Sequence, residues 1–363
     1  MTGPRHFTTI TTTILILAIL LFVGCGRTTN KNVKRQPRPQ THAVLKAAHI
    51  QTPPVIDGIA DDRVWRKAPE LTVPTAGGPA VTMRAVYDDT YFYFSATWTD
   101  QTNDSVDEVW NYDGQTWTKG TIDDALAFFW NIDDSIPGFT KEGCRAVCHQ
   151  RTDGTAAMEI VGPAGAGRKW SGVNQKGDIW DISLGISNVR GSVNDYVFSI
   201  DPAFLKFPNS VPPRIFRRHD YFTERAPMDL NYATDPADGK KKPKYMLKPG
   251  LTVDTTPYPF IDQVEKIEDY GVFKAGDRQP YIIFFPFTAK WGGSRDDISG
   301  KGVWRDGRWT VEFKRSLDTG QTDDIQFKVK KGEIRYYVFD VAVFDRTITD
   351  HKYFGPISLE IKP

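Results

Sequence analysis

The 363-residue chain has three cysteines, Cys25, Cys144 and Cys148. No second cysteine pair exists, so a structural zinc site of four Cys or His ligands lacks its donors. Neither charge sign dominates: 46 basic and 45 acidic residues give a formal net charge of +1, and the electrostatic footprint of a nucleic-acid binder is missing. No glycine-rich phosphate loop is present, no internal repeat, and no Ser-His-Asp arrangement at a motif-like spacing. Helical periodicity is scarce as well. These absences remove P-loop nucleotide binding, triad hydrolysis and helical bundles from consideration.

What is present begins at Gly143-Cys144-Arg145-Ala146-Val147-Cys148-His149. Two cysteines with a histidine directly behind the second are the arrangement that attaches a c-type haem. Each thiol adds to one haem vinyl group, and the adjacent imidazole is then held beneath the porphyrin, within reach of iron. Cys144 and Cys148 are the expected thioether residues and His149 the proximal iron ligand. Three residues separate the cysteines where two are usual, so the loop must bulge by one residue. A Cys144–Cys148 disulfide is the competing reading outside the cytoplasm. Covalent attachment of one haem c is the expectation.

The N-terminus reads as a targeting segment. Arg5 supplies the positive start, and Ile14 to Val23 is an almost unbroken apolar run, shorter than the roughly 20 residues a spanning helix needs. It ends at Gly24-Cys25. A small residue before a cysteine, behind an apolar core, resembles a bacterial lipoprotein signal, which makes Cys25 the expected lipid-bearing residue. Phe22 is bulkier than the residue usual at its position, and an uncleaved anchor or an ordinary secretory signal are the other readings. Residues 1–24 are then signal peptide and 25–44 a basic tether. Residues 1–38 hold six basic and no acidic residues, which leaves 40 basic against 45 acidic in the remainder. The expected address is the periplasmic side of the cell envelope, on a membrane through the lipid.

Residues 45–363 read as one domain with an insertion at about 206–280. Val81–Tyr87 and Tyr91–Trp98 alternate in polarity on either side of Asp88-Asp89, a hairpin signal. Asp306-Gly307 between Val303 and Phe313 suits a type I′ turn. Ala125–Trp130, Ile179–Ile186, Tyr196–Ile200, Tyr281–Phe287, Gln326–Val329, Arg335–Phe344 and Ile357–Ile361 are further strand candidates. Many short strands with turn signals predict an all-β, antiparallel β-sandwich.

Ile56-Asp57-Gly58 with Trp65, Val86-Tyr87-Asp88-Asp89 with Tyr91-Phe92-Tyr93-Phe94, Gly177-Asp178-Ile179-Trp180-Asp181, the Trp304/Trp309 hairpin and Val343-Phe344-Asp345 occur in order. Together they resemble the haem-binding domain of ethylbenzene dehydrogenase gamma subunits, over roughly residues 45–363. The resemblance implies a sandwich like the family 9 carbohydrate-binding modules, with a haem between loops at one end. It also implies electron transfer with a redox partner protein, as a gamma-type subunit or partner of a molybdenum oxidoreductase, and no substrate turnover of its own. Members commonly hold a b-type haem through Met and Lys; the cysteine motif sets this chain apart as a covalent variant. The family's ligating lysine lies in the loop before the last strand, which here reads Thr349-Asp350-His351-Lys352-Tyr353. His351 is the expected distal ligand, an imidazole that is largely neutral near pH 7. Lys352, Met158, Met246 and His219 are the alternatives. The opposing functional reading is a haem-free extracytoplasmic module that binds carbohydrate or another ligand and carries the Cys144–Cys148 disulfide.

Overall fold

The alternating stretches pair as their period predicts. Strands Val81–Tyr87 and Tyr91–Thr99 form an antiparallel hairpin. Asp88 builds its turn: Oδ1 accepts from the Thr90 and Tyr91 amides at 2.8 and 2.6 Å, and Oδ2 from the Tyr93 hydroxyl at 2.7 Å. The second hairpin turns at Asp306 and Gly307, with φ of 52° and 71°. That left-handed pair is what a type I′ turn requires.

The computed structural model describes residues 3, 34–147, 160–161, 167–168, 175–199, 216–219, 228–236, 238–284, 294–347 and 351–363. Residues 34–363 form one unit. Its principal strands are β1 (Ala43–His49), β2 (Val81–Tyr87), β3 (Tyr91–Thr99), β4 (Ala125–Asn131), β5 (Lys176–Ser183), β6 (Asn194–Ser199), β7 (Phe216–His219), β8 (Ser299–Arg305), β9 (Arg308–Ser316), β10 (Glu333–Phe344) and β11 (Lys352–Ile361). They join in the order β7-β6-β5-β4-β10-β11-β1-β2-β3-β9-β8. Among the described residues no helix is long and apolar enough to cross a membrane.

The fold is all-β, as predicted, but the sheet is mixed. β1 runs parallel to both its neighbours, β11 and β2. Parallel neighbours need a crossover connection, and residues 50–80 supply it. That crossover carries a 3₁₀ turn, Arg63–Lys67, whose Trp65 packs with Ile50, Val86 and Tyr93 on the outer side of the sheet. The Lys34–Arg35 pairing with Glu333–Ile334, and the start of β1 at Ala43, reach into the stretch that reads as a tether.

Period-2 alternation divides each strand between two faces. Leu126, Phe128 and Trp130 of β4, Trp180 and Ile182 of β5, and Phe339, Val341 and Val343 of β10 point into the main core. Phe94, Phe313 and Leu359 meet them from the other half of the sheet. The sheet curls to enclose these side chains. Its edge strand β8 reaches the connection between β5 and β6, where Ser299 bridges Ser192 and the Val193 amide donates to the Ile298 carbonyl at 3.1 Å.

One expectation needs correction. Gln326–Val329 joins no ladder; Phe327 nonetheless enters the core and stacks on Phe92 at 4.6 Å between ring centroids. Ile282–Phe284, within the expected strand Tyr281–Phe287, is a strand and pairs with Met228–Leu230 in a small separate sheet. The described part of the insertion is likewise built of two- and three-residue ladders around its own apolar clusters. Ladders that short leave no readable period in a sequence.

Candidate functional site

Odd-numbered and even-numbered residues of the same strands serve different ends. Ala127 and Phe129 of β4, Ile179 of β5, Tyr196 and Phe198 of β6, and Val338 and Phe344 of β10 face outward. Left bare they would form an exposed apolar patch. The segment from Ile132 to Val147 covers them. Asn131 Oδ1 accepts the Ile136 amide at 3.0 Å and sets the first bend. Gly138, at φ 82°, admits the four-residue helix Phe139–Glu142. Gly143, at φ 61°, redirects the chain into a 3₁₀ turn over Gly143–Ala146, closed by the Val147 amide on the Cys144 carbonyl at 3.1 Å. Ile136, Phe139, Cys144 and Val147 are the side chains this segment buries against the sheet. Phe139 meets Phe129 edge-on at 5.3 Å.

Cys144 is therefore not at the surface: it is only 6% exposed and lies among aromatic rings. Asp340 reaches it from the sheet. Asp340 of β10, itself buried, accepts the Cys144 amide on Oδ2 at 2.6 Å and bonds the Cys144 side chain as well. Burial pushes this carboxyl up to about 7, and the two bonds from Cys144 pull it down in part. Asp340 marks a break in the β10–β11 register, between Phe339 and Val341, opposite Gly355-Pro356. The sequence held a signal for it. Asp340 is the only charged residue in the otherwise apolar and aromatic run Tyr336–Phe344.

His351 precedes β11 and is half-buried. Its ring lies 5.1 Å from that of Phe344 and 6.0 Å from that of Tyr353. Both neighbours belong to the cluster around Cys144. Tyr353 also hydrogen-bonds Arg145, the residue after Cys144, and burial raises its hydroxyl pKa. The structure thus brings Cys144 and His351 to one apolar patch. Lys352 leaves the strand on the other side. It pairs with Val343, a core residue, whereas Tyr353 pairs with Ala342 of the outer face; opposed residues of a ladder share a face. The Lys352 stem lies against Gly78. Met246 sits in a separate two-stranded sheet of the insertion, and His219 registers with Tyr196 at the sheet edge. Cys25, Cys148, His149 and Met158 lie outside the described residues.

A cavity of about 290 Å³ opens beside this patch. Ala125, Tyr196 and Phe344 form its apolar wall, and Asp107, Asp123 and Asp181 its acidic wall. Burial, reinforced by the charge of Asp123, pushes Asp107 up to about 7. Burial pushes Asp123 up to about 6 against bonds from Ser183 and Gly185. The site combines a buried thiol, an imidazole, aromatic surface and a cavity that is acidic on one side.

No curated protein matches the chain. Among solved structures, a family 9 carbohydrate-binding module from Caldicellulosiruptor kristjanssonii in complex with glucose aligns with a TM-score of 0.30 at 9% identity, covering 87% of this chain and 97% of its own. Such a module from the same organism in complex with cellotriose gives 0.30 at 8% identity, covering 87% and 93%. The sequence profile described as ethylbenzene dehydrogenase matches residues 62–354, which include β2 to β10 and the patch around Cys144. The chain belongs to the ethylbenzene dehydrogenase family.

Proposed function

We propose that this protein is an exported, lipid-anchored electron-transfer protein that carries one covalent haem c, and that it serves as a non-catalytic subunit or partner of an oxidoreductase. The observation that carries the reading is the Cys144-to-His149 motif, whose first cysteine is buried in an aromatic patch that His351 also touches. The residues present fit the group. Phe129, Phe139, Phe198 and Phe344 pack with the Cys144 thiol in one aromatic cluster, the kind of lining a porphyrin packs against. Nitrogen donors stand at His149 in the motif and His351 at the rim.

When bound, the haem supplies a one-electron couple whose potential depends on its axial ligands, burial and hydrogen bonding. The chain's own part is binding and shielding. Cys144 and Cys148 fix the macrocycle through sulfur, His149 and His351 donate imidazole nitrogens, and the Ile132–Val147 segment excludes water from one side. A second imidazole from His351 would suit electron relay better than peroxide chemistry. Membership in the ethylbenzene dehydrogenase family supports a protein partner. Export follows from the apolar run before Cys25, and the lipid there, with the basic residues behind it, supplies membrane attachment.

Purification from an exporting bacterial host, a pyridine haemochrome spectrum and a haem-stained denaturing gel test the reading. The expected result is one haem per chain that survives denaturation and is lost from a Cys144→Ser, Cys148→Ser double variant. Wild-type protein that stains blank and carries a Cys144–Cys148 disulfide overturns it in favour of a haem-free binding module.

A further inference from the structure

We infer that Asp340 is the residue that positions the Cys144 sulfur for its thioether bond, an inference that rests on the haem reading above. Three features of the geometry lead to it. The register break at Asp340 sets its side chain into a notch between two glycines. A Cβ on Gly143 would fall 2.2 Å from Asp340 Oδ2, and one on Gly355 would fall 2.0 Å from Oδ1. No other residue fits at either position while the carboxylate stays where it is. From that notch Asp340 holds both the backbone amide and the side chain of Cys144.

The third feature is what Asp340 lacks. Its Oδ1 is buried with no hydrogen-bond partner among the described residues, so Cys144 provides all the compensation seen there for burying the group. Burying a carboxyl with so little compensation works against the fold. An apolar residue would close this face of the sheet at lower free energy. The arrangement suits a task in which one sulfur must be aimed. The thiol adds across a vinyl C=C of the haem: the S–H bond and the π bond break, one S–C and one C–H bond form, and no electrons are lost. The addition needs the S–H held at a fixed place and direction, which a carboxylate at the Cys144 side chain supplies.

The test separates a positioning role from a structural one by using the two cysteines as each other's control. Asp340→Asn is combined with Cys148→Ser, where Cys144 is the only possible link, and with Cys144→Ser, where Cys148 is. Haem-stained denaturing gels and mass spectra of the haem peptides are the readouts. The expected result is loss of covalent haem in the first pair and unchanged attachment in the second. Asp340→Asn alone should keep haem through Cys148, shift the pyridine haemochrome band to the red, and leave Cys144 open to iodoacetamide. Gly143→Ala, which crowds the carboxylate from the opposite side, should repeat this pattern. Equal loss in both backgrounds assigns Asp340 a structural role only, and full attachment through Cys144 in Asp340→Asn removes even that; either result overturns the inference while leaving the haem reading intact. Wild-type protein without covalent haem overturns the haem reading itself.

Discussion

Arg315→Met should lower the unfolding free energy by about 3–5 kcal/mol at pH 8, the cost of removing one partner from a buried ion pair. Arg315 lies on β9, fully buried, and reaches across the core. Its Nη1 donates to Asp178 Oδ2 of β5 and to the Ile325 carbonyl, both at 3.1 Å, and its Nη2 stands 2.9 Å from Asp324 Oδ2. Asp297 approaches Nε at 3.5 Å. Burial opposes the charge on Arg315, but the surrounding aspartates outweigh it and hold the guanidinium protonated. Burial raises Asp178 and Asp297, and Arg315 lowers both. Without the guanidinium, carboxylates of Asp178, Asp195 and Asp324 that lie within 4.8 Å of one another would repel in a dry site.

Carboxyls whose folded pKa stands above the ordinary 3.8 contribute stability below that value and lose it as pH rises through the raised one. Removing Arg315 raises them further, so the folded variant takes up protons more readily and its deficit shrinks from pH 8 towards pH 5. Urea denaturation followed by tryptophan fluorescence suits the case, since the guanidinium carbon lies 5.1 Å from the Trp180 ring centroid. A deficit below about 1 kcal/mol at pH 8, the size expected of an exposed pair, or one that grows on acidification, would refute the reasoning.

Glu312→Leu should cost about 3 kcal/mol or more in the same assay, because it strands the Asp57 and Gly58 amides and the Trp65 indole N–H, all bonded to that carboxylate at 2.7–3.1 Å; Glu312→Gln, which keeps one acceptor, should cost less than half as much. Asp124→Asn should flatten the fall in stability between pH 4 and pH 7. Burial holds Asp124 up at about 7, with bonds from Trp309 and Arg346 opposing, so its contribution is present below pH 4 and is lost towards pH 7 at up to about 1.4 kcal/mol per pH unit. In haem-loaded protein, His351→Ala should give high-spin character and new carbon monoxide binding while Lys352→Ala changes little, as read by near-infrared magnetic circular dichroism; the reverse pattern would move the distal ligand to Lys352.

The hairpins were legible because local chemistry alone specifies them: Asp88 caps one turn and Asp306-Gly307 adopts left-handed angles in the other. The core strand Ala125–Asn131 was legible as an apolar, aromatic-rich run bounded by aspartate pairs. The parallel pairing of β1 was not, since nothing within Ala43–His49 encodes which strands will flank it. The Asp57-Gly58 and Trp65 pattern was readable only as a family trait. Its physical reason, shared bonds to Glu312, joins residues more than 240 apart in sequence. At the site, Cys144 was singled out by the cysteine motif and His351 by its place in the loop that carries the family's ligating lysine; the structure places both beside one apolar cluster. Their wall of Phe129, Phe198 and Phe344 was not legible, because it is the outward half of strands whose inward half makes the core.

That division has a consequence for how the site is held. Phe339 and Val341, on either side of Asp340 in sequence, are wholly buried in the main core, and Asp340 faces the cysteine turn between them. A register slip of one residue would exchange the faces, placing a carboxylate in the core and a phenylalanine against Cys144. The large inner core therefore fixes the register, and the register fixes where Asp340 meets Cys144. The same logic applies on β4, where Phe128 anchors inward and Phe129 stands outward. Substitutions on the outer face should then alter the site while the inner core keeps the strands in place. Inner-face substitutions that loosen the core, such as Phe339→Ala, should disturb both together.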